Sequence, residues 1–244
     1  MVFVTPISGG SGRNGPTTLS IDIGGTGLKA SVLDEKGQMV VDRVRVETPV
    51  GSPPEAIVET LVKLVDPLPP YDRVSVGFPG VVRDGKILSA PNLGNEAWKG
   101  FDLQSAMSEA LKKPVRIVND ADMQGLGVIL GKGVEIVITL GTGFGSGIYV
   151  DGRLSCHLEM SHHPFRKGET YDQQLGNAAR KKVGSKKWNK RVKTAIKNLR
   201  VLTTFDHLYI GGGNSKKLGF KLPDDITVVS NQAGIAGGIA LWRD

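Results

Sequence analysis

The chain has 244 residues, 39% hydrophobic and 23% charged, the balance of a globular protein large enough for one domain or two lobes. No apolar run reaches the roughly 18 residues of a membrane span, and residues 1–16 lack the basic segment and apolar core of a signal peptide. The single cysteine, Cys156, excludes an internal disulfide, and four histidines with no CxxC pair leave no zinc site of usual spacing, so no zinc and a cytoplasmic location are expected.

The net charge is +7, but ten Lys and Arg lie between Arg180 and Arg200 with no acid among them. The rest of the chain is therefore net acidic, and the basicity is local. Such a run suits a polyanion, or else forms a solvated helix face.

Residues 1–17 read as a flexible leader. Thr18–Ile23 is a β-rich run ending in Gly24–Gly25–Thr26–Gly27, after which Leu28–Leu33 resumes as a strand. A strand, a glycine turn and a second strand make a hairpin, whereas Walker and Rossmann loops lead into helices, and GxxxxGK[ST] is absent. Backbone N–H groups in such a turn can still cradle an anion. Gln38–Thr48 reads as a third strand. Pro53–Pro54–Glu55 opens a helix with Ile57, Leu61, Leu64 and Val65 on one face, stopped by Pro67, Pro69 and Pro70. Arg73–Phe78 is strand-like and ends in Pro79–Gly80, and Leu103–Leu111 is a second helix.

Pro114–Val118 is an apolar run that delivers Asn119 and Asp120 to the start of a helical pattern carrying Met123, Leu126, Ile129 and Leu130. Asp120 is there as a helix cap or as a reactive carboxylate; the stretch alone favours neither. Glu135–Leu140 is a further strand running into the glycine-rich Gly141–Gly147, followed by Ile148–Val150 and an Asp151–Gly152 turn. The strand, glycine turn and strand thus occur twice. His207–Ile210 leads into Gly211–Gly212–Gly213–Asn214, and a closing helix is expected over Gln232–Trp242. The alternation of strands and helices makes this an α/β fold with a duplicated, two-lobed architecture. The expected division is 18–118 with 232–244 as a small N-terminal lobe and 119–231 as a large C-terminal lobe.

Asp22–Ile23–Gly24–Gly25–Thr26–Gly27–Leu28–Lys29, Leu140–Gly141–Thr142–Gly143–Phe144–Gly145 and Gly211–Gly212–Gly213 resemble the two phosphate motifs and the adenosine motif of the actin-like (ribonuclease H-like) sugar kinases. Asn119–Asp120 resembles the catalytic pair of the ROK (repressor, open reading frame, kinase) branch. Val76–Val82, Asn92–Gly100 and Lys186–Lys187–Trp188–Asn189 are similar to its polyphosphate glucokinase subgroup. Typical ROK proteins carry a Cys cluster that is absent here. Their Glu-x-Gly-His pattern stands as Glu159–Met160–Ser161–His162.

The resemblance implies transfer of a phosphoryl group from polyphosphate, alone or together with ATP, to the glucose 6-hydroxyl. Asp120 would act as general base, and Asn92, Asn119, Glu159, His162 and Asp172 would bind the sugar. Asp22 would hold Mg²⁺ through water. Gly24, Gly25, Thr26, Gly27, Lys29, Gly141, Thr142 and Gly143 would meet phosphates, and Gly211, Gly212 and Gly213 a nucleotide. Lys186, Lys187, Lys190, Arg191 and Lys193 form the expected polyphosphate track, and a homodimer without nucleic-acid or membrane partners is expected. The alternatives are an ATP-dependent ROK hexokinase for mannose or an N-acetylhexosamine, and a nucleic-acid-binding protein using the basic run.

Overall fold

The computed structural model describes residues 15–49, 51, 53–91, 93–230 and 233–243. They divide into two compact units, residues 15–127 with 234–243 and residues 128–233.

In the first unit, β1 (Thr18–Gly24) and β2 (Gly27–Leu33) form a hairpin in full register from Thr18↔Leu33 to Gly24↔Gly27, closed by Gly25 and Thr26. Leu19, Ile21 and Ile23 are fully buried on one face of β1, and Thr18 and Ser20 are buried on the other, as suits a strand covered on both sides. A third strand, β3 (Val44–Val46), is shorter than the expected Gln38–Thr48, because residues before it make only an isolated bridge from Leu33 to Met39. Helix α1 (Pro54–Val65) starts on Pro at its first position and buries Ile57, Leu61 and Val65. Strand β4 (Arg73–Phe78) pairs parallel with β1. A hairpin of β5 (Val81–Arg83) and β6 (Lys86–Ser89), not anticipated from sequence, leads to α2 (Asn95–Trp98) and α3 (Leu103–Leu111). Strand β7 (Val115–Asn119) pairs parallel with β4 and passes directly into α4 (Asp120–Leu126). The sheet order is β3-β2-β1-β4-β7.

The second unit repeats that order. Strands β8 (Val134–Leu140) and β9 (Phe144–Val150) form the hairpin, and β10 (Arg153–Leu154) is the outer antiparallel strand. A small hairpin, β11 (Pro164–Arg166) with β12 (Glu169–Thr170), precedes α5 (Tyr171–Leu175), α6 (Asn177–Val183) and α7 (Ser185–Thr203). Strands β13 (His207–Gly211) and β14 (Ile226–Val228) continue the sheet in parallel, giving β10-β9-β8-β13-β14. Trp188, Val192, Ala195 and Leu199 make the buried stripe of α7, and the Trp188 indole N–H donates to the Leu175 carbonyl at 2.8 Å. The last helix, α8 (Ala233–Ala240), belongs with the first unit, where the Trp242 indole N–H donates to Ser75 Oγ at 2.8 Å.

Several expectations need correction. The glycine stretch 141–147 is a turn only as far as Gly143, since Phe144 to Gly147 pair with Leu140 to Val137 in the β8–β9 ladder. The helix after Asp120 ends at Leu126, and Leu130 is 83% exposed rather than on a buried face. The division between units falls after Gly127 rather than before Asn119, so α4 and Asp120 stay with the first sheet. Thr17, placed in the leader, is buried and donates through its N–H and hydroxyl to Asp72. Residues 1–14, Asn92 and the start of the Gln232–Trp242 helix lie outside the described residues.

Candidate functional site

The functional side chains form two clusters, one in each unit. In the first, Asp22 and Lys29 face each other across the hairpin, with Lys29 Nζ 2.8 Å from Asp22 Oδ2. Both side chains are partly open to solvent, at 31% for Lys29 and 40% for Asp22. The turn between them is fastened by the Thr48 hydroxyl, which donates to the Gly24 carbonyl. The Asp22 carboxylate, paired with Lys29 beside a glycine turn, is the kind of group of which Mg²⁺ takes one or two, completing its shell with waters and phosphate oxygens. Among the described residues no group of three or more His, Cys, Asp and Glu could hold a metal.

Two strands across, at the same edge of the sheet (Asp22 is level with Gly77, and Gly77 with Val118), Asn119 is the helix cap, not Asp120. Asn119 Oδ1 accepts from the Ala121 N–H at 2.9 Å and the Asp122 N–H at 3.3 Å. Its Nδ2 donates to the Gly80 carbonyl at 2.9 Å. The buried amide therefore ties the Phe78–Gly80 turn to the start of α4. Asp120 sits exposed at the first helical position, where its Oδ1 accepts from the adjacent Ala121 N–H at 2.8 Å. Gly77 lets the start of α4 pack closely on β4: a Cβ there would lie 2.7 Å from Met123 Cε, which would have to move, and 3.4 Å from Asp120 Cα.

In the second unit the turn Gly141–Thr142–Gly143 is held from three sides. Asp172 Oδ1 accepts from the Phe144 N–H at 2.8 Å, and a Cβ on Gly143 would fall 2.1 Å from that oxygen. The Asn177 N–H is shared between the Gly141 and Thr142 carbonyls, at 3.1 Å each. The Asn214 N–H donates to the Leu140 carbonyl at 2.8 Å, and its side-chain Nδ2 to the Gly141 carbonyl at 3.0 Å. Gly212, at φ +86°, lies so close to the end of β8 that a Cβ would sit 2.4 Å from the Leu140 oxygen. The second and third glycine turns are thus neighbours. Asp172, expected among the sugar ligands, is engaged with the turn.

Glu159 forms the remaining polar cluster. Its Oε2 is 3.4 Å from His157 Nε2, and its Oε1 accepts from the Ser161 hydroxyl. Burial pushes its pKa up, but hydrogen bonds from His157 and Ser161 and the positive potential of His157 and His162 outweigh it, so the carboxyl sits below the ordinary range. The Ser that replaces the family's Gly is therefore a partner of Glu159. His162 is exposed rather than a core histidine.

Helix geometry sorts the basic run. Lys187, Lys190, Arg191 and Thr194 occupy one face at i, i+3, i+4 and i+7, and with Arg166 of β11 they line a pocket of about 300 Å³. Burial first, and then the neighbouring Arg166 charge, lower the Arg191 pKa, against the opposing pull of Glu169. Lys186 and Lys193 lie on another side, where Lys193 Nζ stands 4.7 Å over the Phe220 ring. Arg180 is withdrawn from any track by bonds to Asn177 and Asn214. Sequence reasoning missed Arg166, His157, Asn177 and Asn214. Only the last carries a visible signal, directly after three glycines.

A family model described as ROK family matches residues 18–163. Polyphosphate glucokinase from Mycobacterium leprae (strain TN) is 30% identical over 234 residues, covering 89% of this chain and 72% of that protein. N-acetylmannosamine kinase from Escherichia coli (strain SE11) is 36% identical over 145 residues, covering 57% of this chain and 49% of that protein. Among solved structures, the inorganic polyphosphate/ATP-glucomannokinase from Arthrobacter sp. strain KM superposes with a TM-score of 0.82 at 30% identity, over 94% of this chain and 100% of that one. A glucokinase from Streptomyces griseus, in complex with glucose and AMPPNP, gives 0.74 at 21% identity over 92% and 98%. The fold they share with this chain is the actin-like ATPase fold of sugar kinases.

Proposed function

The chain belongs to the ROK family, and on that premise we propose that it is a glucokinase that transfers the terminal phosphoryl group of inorganic polyphosphate, and also of ATP, to the 6-hydroxyl of glucose. The observation that carries the polyphosphate reading is the pocket of Arg166, Lys187, Lys190 and Arg191, whose lining includes Thr194 and no acid. Cations held together against their mutual repulsion bind a chain of phosphates through charge-assisted bonds and counterion release.

Phosphoryl transfer asks the protein for positioning, charge neutralisation and a base. Asp120 takes the proton of the attacking hydroxyl; its exposed carboxylate at the rigid start of α4 can face a substrate. Ionised Glu159, oriented by His157 and Ser161, accepts from sugar hydroxyls, with His162 as a donor beside it. Asn119 positions Asp120 through the cap, and Asp172 positions the Gly141–Gly143 turn. Asn92 is kept as a sugar contact on the resemblance. Mg²⁺ at Asp22 would neutralise charge on the donor phosphates. Lys29, paired with Asp22 across the hairpin, holds that carboxylate in place and is kept as a phosphate contact on the resemblance. The same reading places a homodimer in the cytoplasm; among the described residues no helix is long and apolar enough to cross a membrane.

The likeness to N-acetylmannosamine kinases over 57% of the chain supports a second reading, an ATP-dependent kinase of another hexose or an N-acetylhexosamine. Sugar phosphorylation assayed with purified polyphosphate and with ATP, at matched magnesium, separates the two. Glucose 6-phosphate formed from polyphosphate is the expected result. Turnover with ATP alone, or only with another sugar, would support the second reading. No product with either donor would sink both and restore a binding role for the basic run.

A further inference from the structure

The Arg180 side chain closes a ring of hydrogen bonds that no phosphate motif predicts. The Gly141 carbonyl accepts from the Asn177 N–H at 3.1 Å and from Asn214 Nδ2 at 3.0 Å. The other ends of those two asparagines meet on one guanidinium: Arg180 Nη2 donates to Asn177 Oδ1 at 3.1 Å, and Arg180 Nε donates to Asn214 Oδ1 at 3.0 Å. Asn177 opens α6, Arg180 lies one turn on, and Asn214 follows the third glycine turn. One half-buried side chain thus joins the Gly141–Gly143 turn to the Gly211–Gly213 turn.

We propose that Arg180 is the positioning residue that locks these two turns into one surface for a nucleoside polyphosphate donor, its phosphates on Gly141–Gly143 and its nucleoside end on Gly211–Gly213. This rests on the donor roles given to the turns above. The amide of Asn214 can be placed in two orientations, and only the one with Oδ1 towards Arg180 turns Nδ2 towards the Gly141 carbonyl. Without the guanidinium, Asn177 Oδ1 and Asn214 Oδ1 lose their shared donor, and the side-chain tie that braces the third turn against α6 and the second turn is gone. Gly212 raises the stakes, because its backbone packs against Leu140 with no room to absorb a shift. A guanidinium is well matched to this role, being planar and permanently charged with five N–H groups, of which the ring uses those on Nε and Nη2. Its Nη1 remains outside the ring and brings positive charge to the rim of both turns.

The test is calorimetric binding of magnesium ADP, and separately of glucose, to the full-length wild type and to Arg180→Met and Arg180→Lys. Loss of two charge-assisted bonds should weaken ADP binding about tenfold to a hundredfold in Arg180→Met. Arg180→Lys keeps the charge without the fork and should recover little of it. Glucose affinity and melting temperature should stay near wild type in both. Unchanged ADP affinity in Arg180→Met, full recovery in Arg180→Lys, or an equal loss of glucose affinity would each overturn the proposal. A wild-type protein that binds no ADP would overturn the nucleotide reading of the third turn, and the proposal with it.

Discussion

Glu135 is the most heavily used carboxylate of the second unit, and replacing it by Gln should be costly. It is 1% exposed and accepts from the backbone N–H groups of Leu130, Gly131 and Lys132, at 2.7, 2.7 and 3.1 Å, and from the Tyr209 hydroxyl at 2.8 Å. Three successive amides wrap one carboxylate because Gly131 and Gly133, at φ +81° and +67°, let the loop curl round it. Glu135→Gln keeps one carbonyl oxygen and turns an NH₂ towards donors. An NH₂ in place of Oε2 loses the Gly131 and Lys132 bonds, and one in place of Oε1 loses the Leu130 bond and reverses or loses that to Tyr209. At about 1.5–3 kcal/mol for each bond to a charged group, the loss is on the order of 3–6 kcal/mol. For a protein of this size that lowers the melting temperature by on the order of 10 °C. A second reading comes from Tyr209, whose pKa is raised to about 12, first by burial and then by its bond to Glu135. A phenol raised in the folded state contributes stability that is complete below its ordinary value of 10 and is lost as pH climbs towards 12. Spectrophotometric titration should show Tyr209 ionising late in the wild type, as does the partly buried Tyr71, and earlier in Glu135→Gln, where Tyr71 is unchanged. A melting temperature within a degree or two of wild type would refute the reasoning.

Three further outcomes follow from other parts of the structure. Gly212→Ala forces a Cβ to 2.4 Å from the Leu140 oxygen at φ +86°, and should cost more than the roughly 1–3 kcal/mol of backbone strain alone, read by denaturant unfolding. Ser161→Gly removes a donor that helps lower the Glu159 pKa. A carboxyl lowered in the folded state loses its contribution as pH falls, so the acid limb of glucose affinity should move to higher pH in the variant; an unmoved limb would separate Ser161 from Glu159. Arg166→Gln should raise the KM for polyphosphate and flatten its salt dependence, by about 0.7 in log–log slope if one phosphate contact is lost, as for a flexible nucleic-acid strand. A KM unchanged in value and slope would remove Arg166 from the donor site.

Much of this protein is legible in its sequence where local signals coincide with long-range pairing. Helices α1 and α3 each bury one clear stripe and start at a proline or an Asp cap, and the β1–β2 hairpin and β4 are the β-rich runs expected, buried on both faces. The repeat of strand, glycine turn and strand shows the duplicated sheet, whose order is the same in both units. Where sequence reading fails, tertiary contact decides. Nothing local says that Phe144–Gly147 is strand, because glycines there are tolerated by pairing with β8. Arg180 and Lys187 look alike in a run of basic residues, yet one is bound between two asparagines and the other lines a pocket. Arg166 lies far from that run in sequence and joins it only through the β11–β12 hairpin. A cap role for Asp120 is a fair expectation for Asp after an apolar strand, but the helix begins one residue earlier than that role requires, so Asn119 takes the Ala121 and Asp122 N–H groups while its Nδ2 holds Gly80.

Asp120→Asn probes the proposed general base, the carboxylate that would take the proton of the attacking sugar hydroxyl. The substitution keeps the size of the side chain and leaves the Asn119 cap in place, so folding and glucose binding should persist. Measured with saturating glucose and polyphosphate, kcat should fall about 10²–10⁴-fold, the usual contribution of a positioned base, while the glucose Kd stays close to wild type. A kcat near that of the wild type would contradict the account.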